Sequence, residues 1–284
     1  MSDSVRPFTA GSVECLVVPD GTLGYQPESL YSDLPTEDTA AAVNALVDSD
    51  GLIPVPYHPV LVRTADGLVL LDAGVGVALA AEVGAQAGRL RAALAAEGVA
   101  AEDIGLVVLS HAHADHVGGL TEVDGTERRL LFPNARHVIA RAEFDYWTSR
   151  QASADHAWMA ELARLHLLPV EQAGMLDLVA GELDVAPGIR VIPAPGHTPG
   201  HMAVSISAET RQAVFLADAV LGELNFRHPE WTSRMDADRP QAARTRRRLL
   251  DAAADDGAMV FGYHLWGPGI VEREAGAYRW SPVG

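Results

Sequence analysis

Leu106-Val107-Val108-Leu109-Ser110-His111-Ala112-His113-Ala114-Asp115-His116 is the stretch on which the reading of this chain turns. Its first four residues are an uninterrupted apolar run, which predicts a buried strand. The rest packs three histidines and one aspartate into positions 111–116. A strand alternates its side chains between two faces, so His111 and His113 can point the same way. A turn into a helix at Gly118-Gly119 would present Asp115 and His116 beside them. That makes two clusters of ligands side by side, enough for two adjacent metals, and imidazole with carboxylate suits zinc, iron or manganese. Histidines do gather on surfaces by chance, but the density here argues against it. His111, His113, Asp115 and His116 cannot close two coordination shells alone, so the metal reading requires further ligands downstream.

The composition sets limits on the rest. A chain of 284 residues holds one large domain or two small ones, and 48% hydrophobic with 21% charged residues is a globular balance. The formal net charge of −17 argues against nucleic acid as a partner, since phosphate binding wants a basic surface. Every basic residue is arginine; the absence of lysine excludes a lysine Schiff base and a P-loop lysine. Cys15 is the sole cysteine, so no intrachain disulfide forms, and its place in Val13-Glu14-Cys15-Leu16-Val17-Val18 predicts a buried structural thiol. The first residues lack a basic stretch followed by an apolar one, and no apolar run approaches a membrane span. The expectation is a cytoplasmic protein with no membrane partner.

Along the chain, residues 13–18 predict a first strand. Residues 23–34 read as an irregular excursion with Tyr25, Pro27 and Tyr31, either a pocket wall or, if exposed, a homodimer surface. Thr36-Glu37-Asp38 can cap a short helix through Leu46. Residues 54–63 and 67–71 read as a strand pair ending at Asp72-Ala73-Gly74. Helices are predicted at 77–97, 142–168 and 240–254. Arg244, Arg246, Arg247 and Arg248 read as a solvated face of the last one. His58, in a proline-rich approach to a strand, reads as structural; His137, His156 and His166 lack partner residues nearby in the sequence and read as structural or solvent-facing, and Phe144 and Trp147 as core. Strands at 189–192, 202–206, 213–216 and 259–262 follow, with a closing hairpin at 269–280. His197, Asp218 and His264 each sit at or just past the end of a short apolar strand, where a rigid site can be built. These are the downstream ligands that the first cluster requires.

Ser-His-Ala-His-Ala-Asp-His at 110–116, Gly-His-Thr-Pro-Gly-His at 196–201, Ala-Asp at 217–218, Tyr-His at 263–264 and Leu-Asp-Ala-Gly at 71–74 together resemble the metallo-β-lactamase superfamily, in the family's order. The resemblance implies an α/β chain folded as a four-layer αβ/βα sandwich, two mixed sheets face to face with helices outside. It implies a single domain over residues 1–284, made of two similar halves. Carried over by position, it assigns His111, His113 and His197 to one metal and Asp115, His116 and His264 to a second. Asp218 would bridge both, and Asp72 and His201 would support the ligands. The implied cofactors are two divalent ions, zinc in the first instance.

Phe132-Pro133-Asn134-Ala135, Ala142-Glu143-Phe144-Asp145-Tyr146-Trp147, the stretch from Asp218 through Asp236, and Tyr263-His264-Leu265 with Gly267-Pro268-Gly269 look most like the methyl parathion hydrolase-like group and the quorum-quenching lactonases. Some acyl-homoserine lactonases place a tyrosine three residues after the bridging aspartate; Leu221 stands there in this chain. The resemblance implies hydrolysis of a small neutral ester, lactone or phosphotriester through a metal-bridging hydroxide, with Asp115 as a catalytic residue that orients it. Leu221, Phe226, Trp231 and Trp266 are the expected walls of an apolar substrate pocket. Two other classes stand beside this reading: an iron-dependent oxidoreductase of the same fold, similar to persulfide dioxygenases, and a metal-binding module without turnover.

Overall fold

The apolar runs are continuous because their strands are buried on both faces. Val60 and Val62 enter one core while Leu61 enters another; Val69 and Leu71 separate from Leu70 in the same way, as do Leu106 and Val108 from Val107. The computed structural model describes residues 4–32, 37–82, 86–124, 126–208 and 211–283. The end of the expected 23–34 excursion, Thr36 of the expected helix cap and residues 83–85 of the expected 77–97 helix lie outside them.

In chain order the first strands are β1 (Arg6–Ala10), β2 (Val13–Val17), β3 (Gly21–Tyr25), β4 (Ile53–Tyr57), β5 (Val60–Thr64) and β6 (Gly67–Leu71). Next come β7 (Ile104–Val108), β8 (Thr121–Asp124), β9 (Glu127–Leu130), β10 (Arg136–Ala140) and β11 (Leu176–Val179). The second half adds β12 (Leu183–Ala186), β13 (Ile189–Pro193), β14 (Met202–Ala208), β15 (Arg211–Phe215), β16 (Met259–Phe261), β17 (Gly269–Glu274) and β18 (Ala277–Pro282).

Among the described residues these form two seven-stranded sheets, β1-β2-β5-β6-β7-β10-β11 and β12-β13-β14-β15-β16-β17-β18. Both are mixed: β6, β7, β10 and β11 run parallel, as do β15 and β16, and the other pairs are antiparallel. The inner faces meet in one core, with Cys15, Val62, Leu71 and Val108 from the first sheet against Val191, Val204, Phe215 and Phe261 from the second. Outside the first sheet, Leu94, Ala160, Ala163 and Leu167 cover Leu61, Leu70 and Val107. Outside the second, Leu249, Leu250 and Ala253 cover Ala203, Val214 and Val260. This is the sandwich with outer helices that the motifs implied. Each large apolar side chain so buried contributes roughly 1.5–3 kcal/mol. No helix among the described residues is long and apolar enough to cross a membrane.

Several local expectations change. Residues 6–10 form an edge strand that the sequence reading passed over. Residues 23–25, the start of the expected irregular stretch, belong to a strand from Gly21 that pairs with Ile53–Tyr57 as a separate two-stranded unit, so the chain breaks at His58-Pro59 instead of running straight from 54 to 63. The 142–168 helix is three helices, Arg141–Thr148, Arg150–Asp155 and Ala157–Gln172; Ser149 ends the first and caps the second by accepting from the Ala152 N–H. The last helix, Arg239–Asp256, starts at an Asp238 cap and stops at Gly257, whose φ of 59° suits glycine. Its arginines are not all solvated. Arg246 is fully buried and donates to the carbonyls of Ala219, Pro229 and Trp231, strapping down the loop that follows Asp218.

Candidate metal centre

The carboxyl ends of the parallel strands supply the site. β6 delivers Asp72, β7 delivers residues 110–116, β15 delivers Asp218 and β16 delivers His264; His197 comes from the β13–β14 loop. Two of these exits are strained: Asp72 has φ 61° and Ala217, just before Asp218, has φ 43°, both in the left-handed region that non-glycine residues avoid. The Met202 N–H donates to the Ser110 carbonyl and ties the β13–β14 loop to the β7 loop.

All seven expected ligands are brought together, in two groups. His111, His113, His197 and Asp218 offer donor atoms within 4.8 Å of one another, and so do Asp115, His116 and His264. Asp218 stands between them: its Oδ2 lies 3.8 Å from His111 Nε2, 3.4 Å from His197 Nε2 and 3.2 Å from His264 Nε2, and its Oδ1 lies 3.3 Å from His116 Nε2. Asp115 Oδ2 is 3.5 Å from His116 Nε2 and 3.6 Å from His264 Nε2. His197 Nε2 faces His113 Nδ1 at 3.0 Å.

The outward-facing ring nitrogens are braced. His111 Nδ1 meets Ser110 Oγ, His116 Nδ1 meets Asp72 Oδ2 at 2.8 Å, His197 Nδ1 meets Asp236 Oδ1 at 2.8 Å, and His264 Nδ1 donates to the Pro56 carbonyl. Asp72 also accepts from the Ser110 N–H and hydroxyl, which fixes the entry to the cluster. His201 donates through Nδ1 to the Ala194 carbonyl, so its Nε2 accepts from the Asp218 N–H. Glu143, fully buried, accepts from the Ala112 and Gly200 N–H groups and from Trp147 Nε1, joining the two ligand loops to a pocket aromatic. Gly200 sits against Glu143 so closely that a Cβ would come within 2.2 Å of its backbone nitrogen.

The electrostatics follow from this crowding. Burial, reinforced by neighbouring imidazoles, holds His111 and His113 well below the usual histidine range. Burial opposes charge on His116 too, but Asp218, Asp115 and Asp72 outweigh it and hold the ring well above that range. For Asp218, burial would raise the carboxyl, yet His264 and His116 hold it well below the carboxylate range. Burial with His197 pushes His201 down to about 3, in keeping with a neutral acceptor. The donor set fits divalent metal. Among the described residues, Nε2 of His111 and His116 and Oδ1 of Asp218 are buried without a hydrogen-bond partner, a costly state for polar atoms. These atoms belong to the converging ligand set, where imidazole and carboxylate suit zinc.

A cavity of about 270 Å³ opens above the cluster. Its floor includes His113, Asp115, His197, Asp218 and His264, and its walls include Tyr25, Leu30, Val55, Tyr146, Trp147, His156, Met159, Arg234 and Met235. The four expected wall residues lie elsewhere. Phe226 is fully buried and stacked on Trp280, and Trp231 packs against Tyr31 and His228. Leu221 and Trp266 border a neighbouring cavity of about 190 Å³ that also touches His264. Instead the wall comes from the β3–β4 unit, the helices after β10 and residues 234–237. His156 and Trp147, read as structural, both face it; Trp147 is also in the core, as expected. Asp236 and Glu143 carried no local sequence signal, since their partners lie far away in the chain; Tyr25 lies in the stretch read as a possible pocket wall, and it lines the cavity.

The pattern described as the Metallo-beta-lactamase superfamily matches residues 52–264. An N-acyl homoserine lactonase of Bacillus sp is 25% identical over 252 residues, covering 83% of this chain and 90% of the relative. The solved structure of AidC, a dizinc quorum-quenching lactonase in complex with a product, superposes with a TM-score of 0.88 at 27% identity, over 100% of this chain and 99% of that one. The hydrolase AbOPH of the β-lactamase superfamily matches at a TM-score of 0.88 and 26% identity, over the same shares of the two chains. The chain belongs to the metallo-β-lactamase superfamily and stands among its hydrolases.

Proposed function

We propose that this single domain is a dinuclear zinc hydrolase acting on a small neutral ester or lactone, with phosphotriesters as the further candidate class. His111, His113 and His197 would hold one ion, Asp115, His116 and His264 the other, and Asp218 both. The observation that carries the reading is the convergence of two donor groups on Asp218, at the floor of a cavity with aromatic and methionine walls. The lactonase relatives at about a quarter identity support it.

Two zinc ions held there would supply Lewis acidity and a lowered pKa for water at neutral pH. The residues of the chain do the rest. Asp72, Asp236, Ser110 and the Pro56 carbonyl fix ring orientation, so the ligands need little reorganisation. Asp115 keeps part of its carboxylate exposed, with a side-chain exposure of 17%, and can accept a hydrogen bond from an attacking water. Trp147, Met159 and Met235 remove bulk water from one side and favour an uncharged, partly apolar substrate.

The test is metal analysis of the purified protein together with a panel of lactones, aryl esters and organophosphate triesters. The expected result is about two equivalents of zinc and turnover that chelator abolishes and zinc restores. About one equivalent of iron with oxygen uptake and no hydrolysis would overturn the proposal, as would full metal loading without turnover of any panel member.

A further inference from the structure

Three tyrosines crowd the Asp115–His264 side of the site, and their hydroxyl protons are not equivalent. Tyr263 donates to the Asp115 carbonyl at 2.6 Å, so its proton is committed to the ligand loop. Tyr57 is 2% exposed, and among the described residues its hydroxyl has one hydrogen-bond partner, Tyr25 Oη at 2.8 Å. A buried hydroxyl must place its proton on an acceptor. Tyr57 therefore donates and Tyr25 accepts, which leaves the Tyr25 proton uncommitted.

The fold sets Tyr25 on the wall of the site. Tyr25 pairs with Ile53, and Tyr57 lies four positions further along β4, so both rings share one face of the hairpin. The Tyr57 ring lies 5.6 Å from that of His264, and Tyr25 lines the cavity whose floor holds Asp115, Asp218 and His264. Burial raises the Tyr25 pKa, which favours the protonated phenol. Tyr146, on the wall as well, packs edge-on against Trp147 on the helix side of the cavity.

We infer that Tyr25 is a further catalytic residue, whose hydroxyl, oriented by Tyr57, donates a hydrogen bond to an oxygen of the scissile group in the bound substrate. The proton stays on Tyr25; the bond strengthens as that oxygen gains negative charge. This rests on the hydrolase reading above. It also narrows the substrate class to molecules that present an acceptor oxygen to the β3–β4 side of the site.

The experiment uses the metal-loaded enzyme and the panel substrate that the unaltered protein turns over best. Tyr25→Phe is expected to keep its metal content, lower kcat on the order of 10²-fold and change KM only a few-fold. Because that change strands the Tyr57 hydroxyl, Tyr25→Phe/Tyr57→Phe is measured beside it; it is expected to recover thermal stability but not kcat. Wild-type kcat in either variant at full metal content overturns the inference, and so does a loss confined to KM. An unaltered protein that turns over no panel substrate overturns the hydrolase reading, and this inference with it.

Discussion

Histidine is buried in two different ways in this molecule. At the carboxyl ends of the strands, His111, His116, His197 and His264 each have one ring nitrogen braced by a neighbour and the other turned toward Asp218. In the body of the first sheet and beneath its helices, His137 and His166 lie as isolated neutral rings. His166 Nδ1 takes a hydrogen bond from Thr121 Oγ1, which itself accepts from Arg128. His137 is fully buried, and among the described residues neither ring nitrogen has a well-formed hydrogen bond. An orphaned nitrogen is thus not a ligand by itself. Convergence on a shared carboxylate, with the opposite nitrogen braced, marks these four histidines and neither core ring; His113 joins the group through His197.

That distinction breaks most sharply at Asp218. Asp218→Ala removes the carboxylate between the two groups, and activity is expected to fall on the order of 10³-fold with loss of metal. Metal analysis and kcat measured on one preparation check it; turnover retained in a metal-depleted Asp218→Ala protein would contradict the assignment. The braces should matter less. Asp236→Asn keeps an acceptor for His197 Nδ1 but removes the negative charge. It is expected to cost roughly 10–100-fold in metal affinity or activity, read by competition with a chelator of known strength.

How much of this the sequence made legible follows from the same physics. The ligands were readable because each lies at the end of an apolar strand, and strand ends are marked locally by the run that precedes them. Asp72, at its own strand end, and His201, in its motif, were readable as supports, and the stretch with Tyr25 and Leu30 as a possible wall; the other braces and walls were not. Asp236 meets His197 from 39 positions away, and Glu143 reaches Gly200 from 57; tertiary packing alone creates those pairings. Arg246 sits in an arginine run that looks solvated; the carbonyls of the 219–231 loop and the nearby Asp236 charge make its burial tolerable. The 142–168 stretch keeps helical composition throughout, so its breaks at Ser149 and His156 show only as one capping hydroxyl among many polar residues. Aromatic residues after Asp218 suggested the pocket wall, but aromatics favour cores as strongly as pockets, and Phe226 and Trp231 went to the core.

The isolated histidines give the last and smallest contrast, which is in stability and not in turnover. Burial pushes His137 down to about 4, and the nearby Met175 and Ala135 backbone offsets only part of it; burial and the Arg128 charge push His166 down to about 4 as well. In the unfolded chain both rings titrate near 6.5. Between about pH 6.5 and 4 the unfolded chain therefore binds more protons, and acid draws the equilibrium toward it. The stability held by each neutral ring is complete above about pH 6.5 and is lost as pH falls toward 4, to the extent of roughly 3 kcal/mol per ring. Urea denaturation across that range should show the decline. His137→Leu, which replaces a buried titratable ring by an apolar side chain, should flatten part of it and leave metal content unchanged. A decline equally steep in His137→Leu would mean that the ring is already charged, or partnered, in the folded protein. The two kinds of buried histidine would then differ less than their surroundings indicate.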